Sequence, residues 1–261
     1  MSLRSARPRA LFARALTVAA VAAGTLAWPA TARPAGAAVT SYSFELINQS
    51  SGQPVRYNPC QAVHIRVNVS RAPSGAIDDL GQVLRELSAA TGISFIVDGT
   101  TEEVDQPNRG LTNPGYGPGF VPVNVDWQLP GDSGYPLDPS ILGYGGSEWV
   151  ANSAGDGVFV TGAVVINAGA GLPMGFAPAG QESDGKVLLH EFGHLLGLGH
   201  VGDVGQVMYP DPGQGPASYG PGDQAGLAAV GRPAGCLAEP SPGGNGSGTS
   251  SAARVLPPGS L

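Results

Sequence analysis

Hydrophobic and polar residues alternate along this chain with two different periods. In AVHIRVNVS (62–70) every second residue is apolar, the spacing of a strand with one face toward a core. From 74 to 91 the spacing lengthens. Ile77, Leu80, Val83, Leu84 and Leu87 then fall on one side of a helix, and Gly92 is placed to end it. ISFIV (93–97) predicts a second strand, closed by a turn at Asp98–Gly99. A loop rich in Gly, Pro and Asn covers 101–120, and FVPVNVDWQ (120–128) predicts a third strand. Irregular chain follows to about 156, with a short strand near LGYGG (142–146). VFVTGAVVIN (158–167) is a further strand. A helix is predicted over 186–196, capped by Ser183 or Asp184, and a last one over 222–230. This order predicts an α+β fold: a mixed, twisted sheet of about five strands with a backing helix, a second helix and a C-terminal helix.

The ends of the chain break both rhythms. Arg4, Arg7, Arg9 and Arg14 precede an apolar run, LTVAAVAAGTLAW (16–28), and small residues with cleavage patterns ending at Ala32 or at Ala37–Ala38. That is the layout of a secretory signal peptide over 1–38, and the run is shorter than the roughly 20 residues a membrane span needs. From 238 the chain is Pro, Gly, Ser and Asn, which predicts a disordered tail over 238–261. The folded domain is expected over 39–237, long enough for one core.

Charge narrows the partners. Of 13 basic and 20 acidic residues in the 261-residue chain, five basic and no acidic ones fall in 1–38. The remaining chain carries a formal charge of −12, from 8 basic and 20 acidic residues. Such a surface excludes nucleic acid and anionic membranes as partners and suits an exported monomer acting on peptide or protein. Cys60 and Cys236 are the two cysteines. In an oxidising compartment they predict a bridge; the rival reading is a thiol that blocks a metal.

The chemistry concentrates in HEFGHLLGLGH (190–200), which holds three of the four histidines. Positions four apart share a helix face, so His190 and His194 can hold one metal while Glu191, rotated by about 100°, reaches a water on it. Gly197 permits a sharp turn that returns His200 to the same metal. Three imidazoles leave a fourth position for water, the open arrangement of a catalytic zinc. The fourth histidine, His64, lies in the first strand pattern and reads as a structural or surface residue.

HExxHxxGxxH followed by VMYP (207–210) resembles the metzincin metalloproteases, and the MYP step most resembles matrixins of the secreted bacterial kind. The resemblance covers about residues 56–237, with a PC pair, a DGT segment and GDQAGLAAVG (222–231) matching as well. It implies a zinc endopeptidase with ligands His190, His194 and His200, Glu191 as general base, and Met208 packing beneath the metal. Substrate would lie extended along a sheet edge near 142–146. Tyr209 is one place after the methionine and Pro210 two, so no tyrosine ligand is expected. The chain departs from matrixins in having no PRCGxPD switch, no room for a propeptide, and too few histidines for a second zinc site. Pro210–Asp211–Pro212 replaces the usual PxY, with Tyr219 as a substitute pocket wall. Structural Ca2+ would draw on Asp126, Asp132, Asp138, Asp156 or Glu182. A zinc-stabilised binding module without catalysis is the alternative, and a cell-wall peptide the alternative substrate.

Overall fold

The computed structural model describes residues 41–242; the signal-peptide segment and most of the tail lie outside them. The chain runs β1 (Ser43–Phe44), β2 (Arg56–Tyr57), β3 (Val63–Asn68), α1 (Ala76–Thr91), β4 (Phe95–Thr100), β5 (Val123–Gln128), β6 (Gly143–Ala151), β7 (Gly157–Asn167), α2 (Asp184–Leu195), β8 (Leu198–Gly199) and α3 (Pro221–Val230). The main sheet has the order β4-β3-β5-β7-β6, and the two-residue β2 also pairs with β7. The pairs among β2, β3, β4, β5 and β7 are parallel; β6 lies antiparallel to β7 and forms one edge. The expected sheet is therefore present, enlarged by the short β2.

Strand parity decides which residues meet the helices. Val123, Val125 and Trp127 of β5, with Val164 and Ile166 of β7, join Leu80, Val83 and Leu87 of α1 and Val187, Leu188 and Phe192 of α2 in one core. On the other face Ala163 and Val165 form a smaller cluster with Tyr135, Leu137 and Tyr144. That side also buries polar residues. Asp126 accepts hydrogen bonds from the Asp105 backbone N–H and the Gln128 amide, and the Tyr135 hydroxyl donates to Asp105. Arg109 pairs with Glu103 at 2.7 Å. This network gives the irregular chain between β4 and β6 its fixed course.

Three local expectations change. Ile77 is half exposed, because α1 rests on the stripe Ala76, Leu80, Val83 and Leu87 instead. Asp98–Gly99 lies within β4, where pairing with β3 overrides the turn signal and the register shifts between Ile65 and Val67. The short strand near 142–146 is the start of the nine-residue β6. Elsewhere the reading stands: Gly92 ends α1 at φ 71°, with its N–H donating to the Ser88 carbonyl.

Cys60 and Cys236 are bridged across 176 residues, which removes the blocking-thiol reading. Closing so long a loop in the unfolded chain is worth roughly 4–5 kcal/mol on the entropy account. Near the bridge, Asn58 bonds the Leu237 carbonyl and the Glu239 carboxylate, and Asn152 bonds the Ala238 carbonyl.

Burial pushes the Asp126 carboxyl up to about 6, with Asp105 and Asp132 adding to the rise against its two hydrogen bonds. Its unfolded value is about 3.9. The folded chain thus binds this proton more tightly, so the contribution to stability is fullest below pH 4 and is lost as pH rises through 6. Asp126→Asn should raise the urea midpoint at pH 7.5 and lose that advantage near pH 4. A midpoint shift equal at both pH values would refute this assignment.

Candidate metal centre

Helix α2 is buried along all twelve of its residues. It carries Asp184, Lys186, His190, Glu191 and His194 into the interior, so each needs a partner there. The Trp127 indole N–H donates to Asp184 at 2.9 Å. The Lys186 ammonium donates to the carbonyls of Pro178, Gln181 and Gly213. Ser183 caps the helix in position only: its hydroxyl accepts from the Ala177 N–H.

The histidines are held by backbone carbonyls. His190 Nδ1 lies 2.8 Å from the Val207 carbonyl and His194 Nδ1 2.9 Å from that of Leu198. A carbonyl only accepts, so both Nδ1 atoms carry the proton and both Nε2 atoms present lone pairs. The chain leaves the helix through Gly197 at φ 92°, a conformation that suits glycine, and its N–H donates to the His194 carbonyl. His200 then returns to the same point. The three Nε2 atoms lie 3.1–3.2 Å apart. Nitrogens bound tetrahedrally at about 2.0–2.1 Å would be separated by about 3.3 Å. Lone pairs converging this closely repel one another unless a cation sits between them, and three imidazoles suit a transition metal such as zinc. Among the described residues this triad is the one group of three or more His, Cys, Asp or Glu side chains placed to share a metal.

Charge favours the neutral rings. Burial drives His190 well below its usual range and His194 down to about 3, the neighbouring imidazoles adding to the fall; burial also lowers His200. Glu191 moves the other way. Burial raises it to about 8, opposed by a hydrogen bond from the Gly145 N–H. Its Oε2 is buried without a hydrogen-bond partner. Glu191 and His190 line a cleft of about 330 Å³ together with Leu142, Gly143, Asp211 and Pro212. A Cβ on Gly143 would lie 2.9 Å from the Glu191 Cγ, so this carboxylate rests against the edge strand β6.

Met208 is buried, 1% exposed, with its sulfur against Gly193 of α2. Its turn is fixed by Asp223 at the start of α3, which accepts from the N–H groups of Val207, Met208 and Gly220. Tyr219 does not line the cleft. It is buried, and its hydroxyl donates to the Leu189 carbonyl at 2.7 Å. His64 is an exposed partner of Asp98. The residues named for Ca2+ do not form one group. Asp126 and Asp132 border one surface cavity, Asp138 accepts from Ser140, Asp156 meets Asn152, and Glu182 borders the cleft.

The sequence reading missed Glu45. Its Oε1 lies 3.2 Å from His194 Nδ1, and burial raises its pKa against the opposing effect of His200. The signal for it is slight: one acid among the apolar residues Tyr42, Phe44, Leu46 and Ile47.

Residues 151–218 match the Peptidase_M10 family, described as matrixin. That span contains all three histidines, Glu191 and Met208. The match and the triad together support a likeness to matrixin-type metzincins, and the mixed sheet with three helices is consistent with a metzincin-like catalytic domain. No curated protein matches the chain.

Gly193 gives a test of the packing between α2 and Met208. A Cβ there would lie 2.2 Å from the Met208 sulfur. An exposed helical Gly→Ala change stabilises by up to about 1 kcal/mol. Gly193→Ala should instead destabilise by roughly 1–3 kcal/mol, the cost of overpacking. Chemical denaturation decides the sign, and a stabilised variant would contradict this packing.

Proposed function

We propose that the protein is a secreted zinc-dependent endopeptidase. His190, His194 and His200 are the ligands, Glu191 is the general base, and Met208 is the floor of the site. The observation that carries this reading is the triad of Nε2 atoms 3.1–3.2 Å apart in a buried wall beside Glu191, whose Oε2 is unpartnered. The matrixin match supports a metalloprotease over the same residues.

Zinc held by the triad would polarise the scissile carbonyl and make an adjacent water a nucleophile near neutral pH. Glu191 takes the proton from the attacking water and delivers it to the leaving amine. Burial, opposed by the Gly145 hydrogen bond, holds this carboxyl at about 8; a cation in the triad would lower it further and favour the carboxylate. Among the described residues strand β6 pairs with β7 alone, and an extended peptide would add to its other edge. The resting place of Glu191 against Gly143 puts the base beside that edge. Peptide or protein is therefore the substrate class, and one chain suffices to build the site.

Export is supported by the basic-then-apolar start of the sequence and by the Cys60–Cys236 bridge, which suits an oxidising compartment. Among the described residues no helix is long and apolar enough to cross a membrane.

Glu191→Ala should keep its zinc and lose peptide hydrolysis by about 10²–10⁴-fold, the usual contribution of a general base. Zinc content by elemental analysis and turnover of a quenched-fluorescent peptide library measure the two effects. Undiminished turnover in the variant would remove Glu191 from the mechanism. A zinc-loaded wild type that cleaves nothing would favour the binding-module reading.

A further inference from the structure

The turn that delivers the third histidine is not held by α2 alone. Strand β1 pairs antiparallel with β8, matching Ser43 to Gly199 and Phe44 to Leu198. The Glu45 N–H donates to the Gly197 carbonyl at 2.9 Å, and the Ser43 hydroxyl donates to the His200 carbonyl at 2.9 Å. These bonds bracket the turn at both ends. A Cβ on Gly199 would fall 2.8 Å from the Ser43 Oγ, so the two strands are in close contact.

The same strand brings a carboxylate. The Glu45 side chain is 11% exposed, and its Oε1 lies 3.2 Å from His194 Nδ1. That N–H donates to the Leu198 carbonyl at 2.9 Å, and the Glu45 carboxylate lies beside it at contact distance without taking the hydrogen bond. Among the described residues no Lys or Arg pairs with Glu45, and the group at contact distance from its carboxylate is this neutral ring. An anion buried against neutral imidazoles is costly. A divalent cation on the far side of the rings gives it a counter-charge, transmitted through the imidazoles. A carboxylate packed beside a metal-bound histidine belongs to the outer shell that orients the ring and tunes the metal.

We propose that Glu45 is a positioning residue of the metal centre, carried to it by β1, and that residues 43–45 are part of the zinc site. The proposal rests on the reading of the triad as a zinc site. It extends that site to a segment outside the matched residues 151–218.

The test is zinc affinity, measured by chelator competition on the chain from residue 39 to 261. Wild type would be compared with Glu45→Gln, Glu45→Ala and Glu45→Asp. Gln keeps the size and removes the charge; Asp keeps the charge on a shorter arm. The expected result is a loss of about 10–100-fold for Gln and Ala, the usual effect of removing such a partner. Asp should recover part of it, and all three zinc-free variants should unfold at the wild-type midpoint. Zinc affinity within twofold of wild type for Glu45→Ala would overturn the proposal. So would a loss of affinity matched by an equal loss of zinc-free stability, which would make Glu45 a structural residue only. If the variants bind zinc like a wild type that cleaves peptides, the peptidase reading survives and the role of Glu45 does not. A wild type that binds no zinc overturns both.

Discussion

The complete burial of helix α2 is the constraint on which the rest depends. A buried helix of this composition would be unstable if its polar groups went unpaired, since each would cost on the order of 1–3 kcal/mol. Almost every surrounding segment supplies a partner. Strand β5 sends Trp127 to Asp184, and the loops at 178–181 and 213 supply the carbonyls that surround Lys186. The methionine turn gives the Val207 carbonyl to His190, and the turn after the helix gives that of Leu198 to His194. Apart from one oxygen of Asp184 at the start of the helix, what remains unpaired is concentrated at one point: three Nε2 lone pairs and one oxygen of Glu191. Those are the groups that would meet metal, water and substrate.

Close backbone approach makes this burial possible. A Cβ on Gly145 would lie 2.0 Å from the Glu191 carbonyl oxygen, and one on Gly162 would lie 2.7 Å from Leu195 Cδ1. Strands β6 and β7 therefore present bare backbone to α2, and on the opposite side Gly193 gives its space to Met208. Ser147, next on the same face of β6, donates its hydroxyl to the Leu195 carbonyl. The helix is clamped between sheet and methionine turn, which fixes the direction of the histidines before any metal arrives. Such preorganisation reduces the reorganisation that metal binding would otherwise require.

Much of this was legible in the sequence because it repeats or clusters. The alternation in β3, β5 and β7 and the stripe on α1 reflect contact with one core, and HExxHxxGxxH brings the three grouped histidines, Glu191 and the Gly197 turn into eleven residues. Other features left little local trace. Strands β1 and β8 are two residues each, too short to show a period, and exist because they pair with one another. Glu45 meets His194 across 149 positions of chain, a contact set by the tertiary fold. The loops after β4 read as irregular, yet they are ordered by Asp105, Asp126, Gln128 and Tyr135, whose hydrogen bonds link distant positions. Tyr219 was legible as a residue near the turn but not in its direction; burial against α2 took it from the cleft into the core.

The proposed function depends on three imidazoles holding one zinc with a position left open. Zinc-edge X-ray absorption of the purified, zinc-loaded chain reads that arrangement. The spectrum should show one zinc per chain, with three imidazole nitrogens at about 2.0–2.1 Å and an oxygen from solvent. Sulfur in the shell, four protein ligands, or fewer than three imidazoles would contradict it.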